Sequence, residues 1–165
     1  MQSYEMIQHT FEPIFDQQSK ILILGSFPSV KSRENGFYYG HPQNRFWKVI
    51  AKVYDRDVPK TVDEKIDLLL SCQIAIWDVI KSCNISGSSD SSIKNVIPMD
   101  LKQILTKCEI KQIYANGKTA AKLYRTFAQE ITKMDIVELP STSPANAIYS
   151  VERLTEEWGK IKNIQ

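Results

Sequence analysis

Cysteine is scarce in this chain of 165 residues. Cys72, Cys83 and Cys108 make an odd count and form no Cys-x-x-Cys, so neither a disulfide framework nor a zinc knuckle is suggested. Reduced thiols in a cytoplasmic protein are the simple reading. Histidine is scarcer still. With only His9 and His41, and no His-Glu-x-x-His, a site built on several histidines is excluded. No stretch approaches the roughly 18 apolar residues of a membrane span. The first residues lack a basic segment followed by an apolar run, so no secretory signal is expected. Neither sign of charge dominates. Lys and Arg total 21 against 19 Asp and Glu, for a formal net charge of +2. That excess is too small to coat a whole face for DNA, though it permits a local basic groove. Three glycine signatures are also missing. There is no phosphate loop of the Gly-x-x-x-x-Gly-Lys-Ser/Thr kind, no Gly-x-Gly-x-x-Gly, and no Gly-x-Ser-x-Gly elbow.

What remains is ordinary in bulk. Hydrophobic residues are 42% and charged residues 24%, as in globular proteins. The length predicts one domain over residues 1–165, with enough chain for a real core. Short apolar runs at 21–24, 74–77, 112–115 and 134–139 read as strands. Helical patterns open at Pro42, where Phe46, Trp47, Ile50 and Val53 recur at helix spacing, and continue at 62–70, 101–105, 118–127 and 148–161. Residues 26–41 and the Ser-rich stretch 86–92 read as loops. Strand and helix alternate, which predicts an α/β fold of three layers, α/β/α, around a short, mostly parallel four-stranded sheet. Open parallel sheets bind ligands beyond the carboxyl ends of their strands. The segments leaving those ends begin at Gly25, Trp77, Asn116 and Pro140, and their chemistry should converge on one crevice.

Those segments carry amides, hydroxyls and aromatics. Gly25-Ser26-Phe27-Pro28-Ser29 makes a tight turn after the first strand. Phe37, Tyr38 and Tyr39 are candidates for stacking on a flat ring, or cover the core edge. Asn44 could orient a water or read a base edge, or simply start a helix. Arg45 could contact phosphate or be solvated. Trp77 precedes Asp78, which could be a general base, a base-reading acceptor or a helix cap. Ser141-Thr142-Ser143-Pro144-Ala145-Asn146 offers short donors before a helix, suited to a phosphate or to capping alone. No nucleophile has a positioned base, and no ligand cluster suggests a metal. A preorganised polar pocket for hydrolysis is what this set suits.

Taken together, three strings resemble the uracil-DNA glycosylase superfamily, nearest its hypoxanthine-DNA (deoxyinosine) branch and next to the mismatch-specific uracil or thymine enzymes. They are Gly25-Ser26-Phe27-Pro28-Ser29, the specific Gly36-Phe37-Tyr38-Tyr39-Gly40-His41-Pro42-Gln43-Asn44-Arg45-Phe46-Trp47-Lys48, and residues 141–146. The resemblance implies a monofunctional enzyme of base excision repair. A deaminated base is flipped from double-stranded DNA, water hydrolyses its N-glycosidic bond, and an abasic site remains, with no metal or cofactor. Tyr39 falls where the family stacks the flipped base. Residues 25–29 fall on the water-activating loop, and residues 141–146 on the loop that pinches phosphates. Phe27 stands where the mismatch-specific enzymes carry a catalytic Asn, so the resemblance moves that role to Asn44, with Asn116 as a further site residue. Ala145 fills a wedge position where relatives often have Leu. The implied base-binding set is Phe27, Tyr39, Trp77 and Asp78. The implied DNA-binding set is Ser26, Ser29, His41, Ser141, Ser143, Ala145 and Asn146, with Lys31 and Arg33 nearby. Hypoxanthine is the expected base, with uracil or thymine in G mismatches behind it, and the protein is expected to act as a cytoplasmic monomer. The efficient uracil enzymes carry an acidic water activator in the first loop and residues 25–29 have none, which leaves a non-catalytic DNA- or nucleotide-binding module as the competing expectation.

Overall fold

The computed structural model describes residues 5–86 and 92–164. At its centre four strands run parallel in the order β3-β2-β6-β7, with β2 at Ile21–Gly25, β3 at Ile74–Asp78, β6 at Gln112–Asn116 and β7 at Ile136–Leu139. Every residue of β2 and β3 is buried. That is why both read as unbroken apolar runs rather than alternating ones. The free edge of β3 is covered by Ile14, whose backbone exchanges bonds of 3.1 and 2.9 Å with Ile76. Covering an edge this way removes a template for unwanted pairing.

Helices flank the sheet on both faces. The helix α3 (Val62–Ser71) packs on β3, and α5 (Lys118–Phe127) on β6 and β7. The helix α2 (Phe46–Val53) packs against α7 (Val151–Trp158), joined through the fully buried Phe46 and Trp158. The Trp158 indole donates to the Pro140 carbonyl at 2.9 Å, tying α7 to the end of β7. Among the described residues no helix is long and apolar enough to cross a membrane.

A second sheet was not expected from the sequence. It is antiparallel, β1-β4-β5, with β1 at Glu5–Gln8, β4 at Ile80–Ile85 and β5 at Lys94–Pro98. Its strands carry Lys, Asn, Ser and Pro, so their intrinsic strand signal is weak. The core they cover is a small one of Ile80, Cys83 and Ile85. The segment 26–41 is also more ordered than expected. Residues Val30–Asn35 form a short helix α1, N-capped by Ser29 and stopped by Gly36 in the left-handed conformation at φ 78°. Helix α2 starts at Phe46 rather than Pro42, because residues 41–44 form a turn in which the Asn44 amide N–H bonds the His41 carbonyl. Two short helices, α4 (Lys102–Leu105) and α6 (Gln129–Thr132), complete the set, and Gly159–Ile164 adds a 3-10 turn. Most of the Ser-rich stretch, residues 87–91, lies outside the described residues.

Candidate active site

The parallel register brings the ends of β2, β3 and β6 level. Gly25 pairs with Asp78, Leu24 with Ala115, and Asn116 with Leu139 at the end of β7. Beyond those ends lies a cavity of about 700 Å³. Ligand pockets run to roughly 300–1,000 Å³. Its walls come from residues 25–32, Tyr38, Tyr39, His41, Asn44, Asp78, Ile85, Asn116 and residues 141–145. The four segments that the sequence sends to one crevice do meet there.

At one side of the cavity two amides are bolted to a single hydroxyl. The fully buried Thr142 donates its hydroxyl to Asn44 Oδ1 at 2.9 Å and accepts Asn116 Nδ2 at 3.0 Å. Its backbone N–H donates to Asn116 Oδ1 at 3.0 Å. Asn44 Oδ1 also accepts the Phe46 N–H at 2.9 Å, so its two lone pairs are taken. Its Nδ2 group remains as a donor. Such an amide can hold a water by the water's oxygen; it has no basic site left to take a proton.

Arg45 follows Asn44 and faces inward. Its guanidinium donates to the carbonyls of Ser143 at 2.8 Å, Asn146 at 3.0 Å and Tyr149, with a longer Nε bond of 3.4 Å to Thr142. Its backbone N–H adds a 3.0 Å bond to the Thr142 carbonyl. Arg45 is therefore neither a phosphate ligand nor a solvated helix residue. It fastens the loop that follows β7 onto the start of α2. Within that loop Ser141 Oγ accepts the Ser143 N–H and Ser143 Oγ accepts the Ala145 N–H, both at 3.1 Å. Each hydroxyl keeps its own proton for an outside acceptor.

Tyr39 carries two unusual features. Its φ is +51°, in the left-handed region that bulky residues avoid. Its hydroxyl is buried and makes no hydrogen bond of normal geometry, although the Asn116 amide lies close enough to act on it. One ring face stacks on Phe46, with centroids 4.0 Å apart and planes 24° from parallel. Burial, reinforced by the Asp78 carboxylate, pushes the hydroxyl's pKa far above the usual phenol range; the Asn116 amide offsets only part. Of the neighbouring aromatics, Phe37 stacks on Trp47 and Tyr38 is 2% exposed, with its hydroxyl spent on the Glu12 carbonyl. Both pack with the core, and Tyr38 also meets the cavity.

Asp78 is held by a residue that motif reading passed over. His9 Nε2 lies 2.7 Å from Asp78 Oδ2, and the histidine side chain has no exposed surface. The antiparallel sheet delivers it: His9 continues β1, its N–H bonding the Lys81 carbonyl on β4. No signal in its own segment marks it beyond the nearby Phe11. The other carboxylate oxygen faces Gly25. A Cβ built on Gly25 would stand 2.4 Å from Asp78 Oδ1 and 3.1 Å from Tyr39 Oη, so only glycine fits between them.

Other residues fall apart from their expected places. Trp77 does not line the cavity; it is 4% exposed and its indole donates to the Phe11 carbonyl. Asn146 is also outside the wall, since its amide folds back onto the Ser141 carbonyl. Arg33 is not in the cavity wall, and its guanidinium lies 5.8 Å over the Phe27 ring. Phe27, Ser26, Ser29, His41, Ser141, Ser143 and Ala145 all line the cavity. His41 Nδ1 accepts the Gln43 N–H, whereas Ser29 Oγ caps α1 and donates its own proton to Ser32 Oγ at 3.2 Å, so the expected phosphate contact of Ser29 has no free donor. Lys31 sits there half exposed, paired with Glu34 at 3.3 Å.

The chain is similar over its length to known proteins. Residues 12–162 match the model of the Uracil DNA glycosylase superfamily. A protein of Methanosarcina acetivorans named hypoxanthine DNA glycosylase is 34% identical over 158 residues, covering 92% of this chain and 96% of that one. One of the same name from Methanosarcina barkeri is 34% identical over 91 residues, covering 54% and 58%. A solution NMR structure from Methanosarcina acetivorans, provisionally designated a uracil DNA glycosylase, superposes with a TM-score of 0.78 at 30% identity, covering 96% of this chain and 97% of that one. A sheet whose strand ends meet in one amide-lined cavity, together with a match spanning nearly all of the chain, places this protein in the uracil DNA glycosylase superfamily.

Proposed function

We propose that this protein is a monofunctional DNA glycosylase of base excision repair, acting as a single-domain cytoplasmic monomer on double-stranded DNA. Its expected base is hypoxanthine, with uracil or thymine in G mismatches as weaker substrates. The observation that carries this reading is the pair of amides, Asn44 and Asn116, locked on the buried Thr142 at the wall of a cavity of base-binding size. The names of the Methanosarcina relatives support it.

In this reading the damaged nucleotide rotates out of the duplex, which costs least where its pairing is weak. The base enters between Tyr39 and Phe27. Asn44 Nδ2 donates to a water and holds it against the anomeric carbon. The N-glycosidic bond breaks through an oxocarbenium-like state, and the DNA phosphates stabilise the sugar's developing positive charge. Water adds to the sugar; the base leaves with its electron pair and gains a proton. The hydroxyls of Ser141 and Ser143 and the exposed Lys31 hold the phosphates. Ala145 enters the groove but fills little of the gap.

A gel assay tests this on duplexes carrying inosine, uracil, xanthine or a G·T mismatch. The expected result is base release from inosine, leaving an alkali-sensitive abasic site and no direct strand cleavage. Folded protein that binds DNA but releases no base from any duplex would leave only a binding module.

A further inference from the structure

The two peptide planes that flank the Tyr39 Cα are both held from outside. The plane before it carries the Tyr38 carbonyl, which accepts the Trp47 indole N–H at 3.2 Å. The plane after it carries the Gly40 N–H, which donates to Ser32 Oγ at 2.9 Å. A residue's φ and ψ are the rotations that relate those two planes. Fixing both planes therefore fixes Tyr39 at its φ of +51°. Freed from either, a bulky residue relaxes to negative φ, because its Cβ crowds the backbone in the left-handed region.

Ser32 is the centre of this restraint. It sits in α1 and is 2% exposed. Its hydroxyl oxygen accepts the Gly40 N–H and the Ser29 hydroxyl, which uses both lone pairs. Its carbonyl accepts the Gly36 and Phe37 N–H groups at 2.8 and 3.2 Å. One residue thus grips the start and the end of the turn 36–40. On the outer side Asn35 Nδ2 donates to the Gly40 carbonyl at 2.7 Å. The fit is close, since a Cβ built on Gly40 would stand 3.3 Å from both Ser32 Cα and Asn35 Cβ. What the turn delivers is the Tyr39 ring, laid on Phe46 at the cavity wall.

We propose that Ser32, seconded by Asn35, is a positioning residue: it locks the backbone of Tyr39 in the left-handed conformation and so sets the plane against which the extruded base stacks. Ser32 acts through Tyr39 and not on the base. The strain of a left-handed tyrosine is held by α1, so the stacking surface is in place before DNA arrives and need not be ordered by it. The proposal rests on the reading that the cavity takes a flipped base.

The test is a double-mutant cycle read in single-turnover release of hypoxanthine from an inosine-containing duplex. Ser32→Ala is expected to slow release about ten- to a hundredfold, as a small misplacement of a positioning group does. Asn35→Ala, at an exposed position, is expected to give a smaller loss. In a Tyr39→Ala background no ring is left to place, and the same two substitutions are expected to change nothing further. Affinity for an uncleavable 2′-fluoroarabino-inosine duplex gives the same cycle where Tyr39→Ala releases too slowly to follow. Thermal melts confirm folding; if Ser32→Ala does not fold, the loss in Asn35→Ala and its dependence on Tyr39 decide the matter in the same way. A folded variant with the wild-type rate overturns the Ser32 assignment alone. So does an equal loss with and without the Tyr39 ring, because damage spread through the fold does not depend on that ring. No release by folded wild-type protein overturns the glycosylase reading itself.

Discussion

Arg45 and Lys31 carry the same charge and are used differently. The Arg45 donors are committed to carbonyls of residues 142, 143, 146 and 149, whereas Lys31 is about half exposed at the cavity rim. A phosphate contact contributes about one unit to the dependence of log affinity on log salt. Lys31→Ala is therefore expected to flatten that slope, and Arg45→Ala to leave it unchanged while lowering affinity through a loosened loop. Anisotropy titrations on one duplex at several salt concentrations separate the two. Arg45→Lys should not rescue, since an ammonium cannot span carbonyls that a planar fork reaches. Thr142→Val keeps the shape of a buried side chain and removes the hydroxyl between the two amides. Leaving a buried polar group unsatisfied costs roughly 1–3 kcal/mol. A stability loss of that size, measured by urea unfolding, should accompany a loss of base release.

Among the elements, α7 links the loop after β7 to the core. Ser150 caps it by accepting the Arg153 N–H at 3.1 Å, and it buries Leu154 and Trp158. Removing such a cap costs about 1 kcal/mol, or about 2–4 °C in melting temperature for a chain of this size. Ser150→Ala should show that shift by calorimetry and keep its activity at 25 °C, because the loop remains fastened by Arg45. The parallel sheet was legible in the sequence because its strands are buried on both faces and read as continuous apolar runs. The antiparallel sheet was not. Its residues alternate weakly, and its pairing joins residues 5–8 to residues 82–85, a distance no local pattern reports. His9 was missed for the same reason, since its meaning depends on that pairing. Asn44, Asn116 and Tyr39 were legible from the motifs as candidates, and all three line the cavity, but Thr142 as the hub of the two amides was visible only once side chains met. Trp77 shows the converse. Adjacent to Asp78 on a strand, it must point to the opposite face.

For the molecule as a whole, the small net charge bears on how DNA is held. Short hydroxyls and few free cations at the cavity imply a narrow footprint, consistent with a shallow salt slope for the wild-type protein. Alkaline pH acts on the entire fold. Burial raises the pKa of Tyr38 and Tyr39 far above their ordinary value of 10.0. A raised folded-state pKa means that the folded protein holds these protons more tightly than the unfolded chain does. Their contribution is fully present below pH 10 and is lost as pH rises beyond it. Stability measured by urea unfolding should fall above about pH 10, and less steeply in Tyr38→Phe. The central claim concerns chemistry, and one measurement reaches it most directly: single-turnover release of hypoxanthine from an inosine-containing duplex by wild-type protein and by Asn44→Ala. The account predicts release by the wild type, with a rate lowered about a hundredfold or more in the variant, as when one preorganised donor is removed, at nearly unchanged DNA affinity. Equal rates for the two proteins, or no release by folded wild-type protein, would contradict it.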